Sequence, residues 1–254
     1  MIIRTEAVVL RAMDYGETSR IVTLFTREKG KLAVLAKGAR LPKSRFGATL
    51  QPMAHTQVVF YYRPTRSLQT LTESSYVTPR PGIGRSLGTI AAGLRAVELV
   101  QALVEEEQAH PPVFALLLEV LDWLDAAEGP VDNLWPYFQL RLAAVLGFAP
   151  HVDKEAVEAL PEAGGLLRLD DGAVVPPAEG AGRRASRTAL RAYAVFARAG
   201  LDAVMRMHLT PSVRRETEAL VEAFLRYHVE DAYPTRSEAV FEQLAGRGAP
   251  SDSA

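Results

Sequence analysis

Ten of the twelve cations in residues 1–78 are candidates for binding a polyanion: Arg4, Arg11, Arg20, Lys31, Lys37, Arg40, Lys43, Arg45, Arg63 and Arg66. Guanidinium and ammonium groups in such a density can follow a phosphate backbone without demanding a base sequence, because phosphate contacts position a polymer but do not specify it. Lys37, Arg40, Lys43 and Arg45 share one segment, 37–52, that is too long and polar for a tight turn. The charge is also asymmetric. Residues 1–78 hold twelve Lys/Arg against five Asp/Glu, a balance of +7, while the remainder holds seventeen against twenty-five, a balance of −8. The basic part is where a polyanion is expected, with salt-sensitive binding. The same charges also suit a solvated face that keeps the chain soluble. Base stacking needs aromatic faces, and the candidates are Phe46 in the segment 37–52 and Tyr61 and Tyr62 after it. In a strand Phe60 and Tyr62 share one face and Tyr61 the other, so at least one set is core.

Other chemistries fail on residue type or register. Lys43-Ser44 resembles the end of a phosphate loop, yet the two required glycine positions are Lys37 and Pro42, and proline has no N–H to offer a phosphate. Gly82-Ile83-Gly84 lacks the strand and third glycine of a dinucleotide site. With no cysteine there is no thiol nucleophile and no thiolate-bound metal, and the five histidines lie far apart. Asp14, Glu17 and the run Glu105-Glu106-Glu107 do not assemble acid–base machinery, and the run reads as a solvated helix end. No nucleophile-elbow or zinc-protease motif occurs. The expectation is a binding protein, not an enzyme, without cofactor or metal.

The elements that must position these residues divide the chain. Runs rich in Val, Ile, Leu, Thr and Tyr at 5–12, 18–26, 31–36, 56–62 and 68–76 predict five short strands, enough for a small closed barrel of the OB-fold type over 1–79. After Pro79-Arg80-Pro81-Gly82 the pattern becomes helical. Helices are predicted at 86–104, 113–126 and 133–146, forming the first part of a helical domain over 80–148. A loop-rich subdomain follows at 149–185, with a hairpin around Asp170-Asp171-Gly172. Further helices at 187–199, 212–228 and 237–246 pack back on the helical domain within 186–248, and 249–254 is a disordered tail. The fold class is therefore α+β, a five-stranded OB barrel followed by an all-α domain with an irregular insertion. No apolar run reaches the roughly 20 residues of a membrane span and the first residues lack a signal-peptide core, so a cytoplasmic location is expected.

A family resemblance then emerges from ordered motifs. Ala7-Val8-Val9-Leu10-Arg11, Asp14-Tyr15-Gly16-Glu17-Thr18-Ser19-Arg20, Leu24-Phe25-Thr26-Arg27-Glu28-Lys29-Gly30, Ala36-Lys37-Gly38-Ala39-Arg40, Lys43-Ser44 and Leu50-Gln51-Pro52-Met53 resemble the start of the bacterial RecO repair proteins. Phe138-Gln139-Leu140-Arg141-Leu142 with Leu146-Gly147-Phe148-Ala149-Pro150 is similar to that family's central helix, and Arg236-Ser237 precedes a last helix as it does there. The resemblance implies an OB-fold and a helical domain, binding of single- and double-stranded DNA, annealing of complementary strands, and partnership with RecR and single-strand-binding protein to help RecA onto coated strands near the nucleoid. It implies that Lys37, Arg40, Lys43 and Arg45 hold phosphates, with Arg4, Arg11 and Arg20 nearby, and Lys31 and Arg66 complete the expected DNA-binding set. Phe138 and Arg141 lie on the segment to search for a partner pocket, with helix-core packing as the leading reading. Many relatives bind zinc through four cysteines where this chain has 149–185 without any, so no zinc is expected. A competing reading is an adaptor whose helical domain recruits the acidic, hydrophobic tail of single-strand-binding protein while its barrel binds DNA weakly. A nuclease would require clustered carboxylates and a divalent metal.

Overall fold

The structure, a computed structural model, describes residues 1–177 and 181–234. The helix expected at 237–246 and the tail at 249–254 lie outside them. Five strands, β1 (Ile2–Tyr15), β2 (Ser19–Thr26), β3 (Gly30–Ala36), β4 (His55–Tyr61) and β5 (Leu68–Thr78), close into a barrel in the order β1-β2-β3-β5-β4. All neighbours are antiparallel except β3 and β5, which run parallel with Ala33 opposite Leu68. This is the barrel that the strand pattern predicts.

Strand alternation explains the interior. Ile3, Ala7 and Val9 on β1, Val22 and Leu24 on β2, Leu32 and Val34 on β3, and Val58 and Phe60 on β4 point inward and are buried. The segment after β3 folds back as a plug, its buried Ala39, Phe46 and Leu50 completing the same core. Burying the Phe46 ring alone contributes roughly 2–3 kcal/mol. A β-bulge between Val9 and Arg11 inserts Leu10 out of register with β2. Both Leu10 and Arg11 consequently face outward, Leu10 into the helical core and Arg11 into solvent.

A turn at Pro81–Arg85 leads into α1 (Leu87–Leu103), whose first turn is capped by Ser86, its Oγ accepting from the Thr89 N–H at 3.1 Å. The mainly apolar α2 (Pro111–Ala126) buries Val113, Phe114, Leu117, Val120, Leu121 and Leu124. Then come α3 (Leu134–Val145), α4 (Lys154–Glu158), β6 (Gly165–Leu167), β7 (Val174–Val175), β8 (Arg183–Ala185), α5 (Arg187–Arg198), α6 (Leu201–Met205) and α7 (Pro211–Val229). The stretch 149–185, expected to be loop-rich, thus carries a short helix and a three-stranded sheet in the order β7-β6-β8. The hairpin was legible. The elements α4, α6 and β8, each of three to five residues, are too short to impose a hydrophobic period. The Asp171 carboxylate organises the hairpin turn, pairing with the Arg168 guanidinium and accepting from the Ala173 N–H at 2.9 Å.

The barrel is locked onto the helices. Val8, Leu10 and Phe25 join the helical core, with the Phe25 ring 5.7 Å from Phe114. Arg27 lies over the other side of this contact, 4.8 Å from the Phe114 ring, and its Nη2 pairs with Glu6 Oε2 at 2.7 Å. His55 Nε2 sits 3.2 Å from the same carboxylate oxygen. The acidic run is exposed just past the end of α1 at Leu103, as expected, and its backbone also docks on the barrel: Glu106 bridges in parallel to Lys31 while the Glu107 N–H donates to the Lys31 carbonyl at 2.8 Å. Glycine is required beside it. Gly30 has φ +66°, and a Cβ there would lie 2.0 Å from the Gln108 carbonyl oxygen.

Candidate nucleic-acid interface

The β1–β2 hairpin and the plug segment bring one set of cations together. Asp14 and Arg20 face each other across the hairpin, with Arg20 Nε 3.0 Å from Asp14 Oδ1. Arg40 joins from the plug segment, its Nε 3.1 Å from Asp14 Oδ2 and its Nη1 donating to the Gly16 carbonyl at 2.7 Å. The backbone fixes this approach, the Arg40 N–H donating to the Thr18 carbonyl at 2.9 Å. One carboxylate therefore holds two guanidinium groups by their Nε edges. Lys37 follows directly on β3, and the turns Leu41 N–H to Gly38 carbonyl (3.2 Å) and Ser44 N–H to Leu41 carbonyl (2.9 Å) keep exposed Lys43 and Arg45 on the same short segment. Exposed Arg11 stands beyond the bulge on β1.

Arg4, Arg63 and Arg66 belong elsewhere. Arg4 lies opposite Val59, and the Met1 ammonium donates to the Tyr62 carbonyl at 2.9 Å, so these three gather around the β4–β5 connection at the start of β1. Ten residues of β1 separate Arg4 from Asp14, a contour of roughly 30 Å. The basic residues form two clusters, not one patch, and a linear sequence cannot show that because both clusters fall within the same 66 residues.

Two expected roles are corrected. Lys31 is not a free phosphate ligand: its Nζ donates to the Gln101 carbonyl at 2.9 Å, and burial pushes its pKa below the usual lysine value. Phe46 is 1% exposed, packed in the barrel core with the Arg45 guanidinium over its ring, and has no face for a base. Phe138 is 1% exposed inside the helical core, which agrees with helix-core packing and not with a partner pocket at that ring, and Arg141 leans its guanidinium toward the Tyr137 ring at 5.9 Å. Tyr62 is engaged at the junction, its hydroxyl donating to Glu107 Oε2 at 3.0 Å and its ring meeting Lys29 Nζ at 5.4 Å. Tyr61 is open to solvent beside Ile2.

The sequence reading missed Tyr15. It is exposed at the end of β1, next in sequence to Asp14 and its ion pairs, with exposed Met13 two residues before it. Its place in a turn motif hid it. The available signal was spacing, since Arg11, Met13 and Tyr15 recur every second residue and so share the outer face.

Among the described residues, no group of three or more His, Asp or Glu could hold a metal ion, and no helix is long and apolar enough to cross a membrane. Known proteins match both halves of this architecture. The family described as Recombination protein O N terminal matches residues 1–80, and Recombination protein O C terminal matches residues 85–237. The chain is 60% identical over 256 residues to the DNA repair protein RecO of Salinibacter ruber, covering 100% of this chain and 98% of that one. It is 33% identical to the DNA repair protein RecO of Chloroherpeton thalassium, covering 96% and 99%, and 34% identical to that of Anaeromyxobacter sp. strain K, covering 89% and 91%. A closed OB-like barrel carrying clustered cations, a helical domain locked to it, and matches over the whole length lead to one assignment: the chain belongs to the RecO family of DNA repair proteins.

Proposed function

We propose that this protein is a recombination mediator without catalytic activity of its own, binding single- and double-stranded DNA, annealing complementary strands and helping RecA onto strands coated by single-strand-binding protein, in concert with RecR. The observation that carries the reading is the cation cluster at the β1–β2 end of the barrel, where Arg20 and Arg40 are held by one carboxylate edge and Lys37, Lys43 and Arg45 extend the charge along an exposed segment. Each guanidinium keeps terminal N–H groups for a phosphate oxygen, and such contacts are indifferent to sequence. A mediator acting on arbitrary damaged DNA needs that indifference. The work would be done in the cytoplasm, at the nucleoid.

Fluorescence anisotropy of a labelled single strand across a salt series tests this. Wild type should show a log–log slope of about −0.7 per phosphate neutralised. Changing Lys37, Arg40, Lys43 and Arg45 together to Ala should weaken binding and flatten the slope. Absence of binding by wild type at low salt would refute it.

The adaptor reading has its own observation. A groove of about 720 Å³ between α4 and α5 has an apolar floor of Val157, Ala194 and Val195 and a rim carrying Lys154, Arg191 and Arg198. Glu158 also lines the rim and pairs with Lys154 at 3.6 Å, which leaves Arg191 and Arg198 as its net cations, and an apolar floor beside two arginines suits an acidic, hydrophobic peptide such as the tail of single-strand-binding protein. Loss of peptide binding in Arg191→Glu with DNA binding intact would assign the groove to that partner.

A further inference from the structure

The basic cluster at the β4–β5 connection has a neighbour of opposite charge that reaches it from the helical domain. Arg63 and Arg66 are exposed, and their backbone is held by buried Gln69, which accepts from the Arg63 N–H at 2.9 Å and donates to the Arg63 and Arg66 carbonyls at 3.1 and 2.6 Å. The Met1 ammonium sits on the Tyr62 carbonyl beside them. Lys29 arrives from the β2–β3 turn, its Nζ 5.4 Å from the centre of the Tyr62 ring. By cation content alone this end of the barrel should attract a polyanion.

The strap 104–108, between α1 and α2, crosses the same end. It carries Glu105, Glu106 and Glu107 in a row, all three exposed. Its backbone is fastened to β3 through the Glu106 bridge and the Glu107 N–H to Lys31 carbonyl bond of 2.8 Å, with Glu107 at φ +57°, a conformation uncommon for a residue with a side chain. The Glu107 carboxylate accepts from the Tyr62 hydroxyl at 3.0 Å, on the ring that Lys29 overlies and one residue before Arg63. Glu106 is the charged neighbour of Lys31, whose ammonium is already taken by the Gln101 carbonyl. None of this docking needs charge. The strand bridge and the close approach of the strap to Gly30 are made by backbone, and a neutral amide oxygen would serve Tyr62 equally well. What three adjacent carboxylates add is negative potential over a group of cations.

We propose that the strap is an electrostatic gate: Glu105, Glu106 and Glu107 screen Lys29, Arg63 and Arg66 and repel phosphates from the β4–β5 end, so that DNA is confined to the β1–β2 end of the barrel. Exposed charges act over about one Debye length, about 10 Å at 0.1 M salt. The gate therefore covers the surroundings of Tyr62 and leaves the other cluster, a β1 contour of roughly 30 Å away, unaffected. Two basic clusters of the same composition thereby receive different work, and part of the DNA path is set by residues of the helical domain. The inference rests on the DNA-binding reading and adds to it the element that decides which cluster DNA occupies.

Glutamine keeps the shape, the backbone and the acceptor for Tyr62 while removing the charge, so Glu105→Gln, Glu106→Gln and Glu107→Gln together isolate the gate. Anisotropy of a labelled oligo-dT strand of about 40 nucleotides, long enough to reach both clusters, is measured across a salt series. The strap triple is compared with wild type, with the pair Arg63→Ala and Arg66→Ala, with all five changes combined, and with a control triple of exposed helical-domain carboxylates, Glu128→Gln, Glu155→Gln and Asp202→Asn. Circular dichroism and thermal melting verify the fold. The strap triple should bind about tenfold tighter at low salt, with a log–log slope steeper by about 0.7 to 1.4, the mark of one or two further phosphates neutralised. The arginine pair should change wild-type binding by about twofold or less, and in the combined variant should return affinity and slope to wild type. The control triple should leave the slope unchanged. An unaltered slope in the strap triple, a gain matched by the control triple, or a gain that survives loss of both arginines would overturn the gate while leaving the DNA-binding reading intact. Absence of binding by wild type and by every variant at low salt would overturn the DNA-binding reading itself.

Discussion

Replacing Asp14 by Asn should tighten DNA binding, because it removes the one carboxylate that competes with phosphate for Arg20 and Arg40. The carboxylate occupies the Nε edge of both guanidinium groups at 3.0 and 3.1 Å. A phosphate on the remaining edge of either group would lie roughly 6 Å from it, where two unit charges in water repel by about 0.7 kcal/mol. Two such phosphates make the penalty on the order of 1 kcal/mol at low salt, and screening over a 10 Å Debye length at 0.1 M reduces it to about half. The opposing effect is lost orientation of two side chains. Exposed pairs of this kind are worth only about 0–1 kcal/mol, and Arg40 keeps its second anchor, the Gly16 carbonyl at 2.7 Å. Repulsion should therefore win. The expected result in a salt-series anisotropy titration is about fivefold tighter single-strand binding at low salt, shrinking to about twofold at 0.1 M. Weaker binding of Asp14→Asn at every salt concentration, with the fold unchanged, would show that the carboxylate orients the arginines more than it competes, and would refute the reasoning.

Three further outcomes follow from the packing. Phe46→Ala should cost about 3–4 kcal/mol by emptying the plug of the barrel, lowering the melting temperature by roughly 6–15 °C; a variant with unchanged melting but lost DNA binding would restore the ring as a base platform. Gly30→Ala should destabilise by on the order of 3 kcal/mol, combining a positive φ with a collision against the Gln108 backbone, and should raise amide exchange in 104–108; unaltered exchange there would remove the close approach as the reason for glycine. Acid should weaken the junction in two steps. Burial holds the His55 pKa below its ordinary 6.5, with Glu6, Arg27 and Arg80 as the charged neighbours, so the unfolded state binds that proton first and stability falls as pH drops below about 6.5. Pairing with Arg27 holds Glu6 below 4.5, so its contribution is present above that value and is lost as pH falls further. Thermal melting from pH 8 to about 2 should show both declines, and His55→Gln should abolish the first; a His55→Gln profile matching wild type would exclude that histidine as its source.

What the sequence determined by itself is what depends on local pattern. Short runs rich in Val, Ile, Leu, Thr and Tyr, separated by turn residues, defined the barrel strands, because such side chains suit a pleated, half-buried surface whatever it packs against. Ser86 before an apolar helical run, and Pro112 near the start of α2, marked helix starts for equally local reasons. The hairpin around Asp171 was likewise legible from turn chemistry. The charge asymmetry between the two parts of the chain needed no structure either.

Tertiary structure alone decided what depends on strand register and on which surface the helices cover. Nothing in the type or spacing of Lys31 separates it from Lys37, yet Lys31 lies at the end of β3 where 104–108 docks, and Lys37 is exposed just past its other end. Phe46 reads as a loop aromatic, and only the fold-back of its segment over the barrel mouth makes it core. Arg4 and Arg20 look like neighbours in a basic run, but closing five strands into a barrel sends them to opposite ends of β1. Tyr15 and Tyr61, 46 residues apart, lie at the two ends of one outer face because β1 pairs with β4 and β3 runs parallel to β5. Those pairings are non-local contacts, and no window of neighbouring residues contains them.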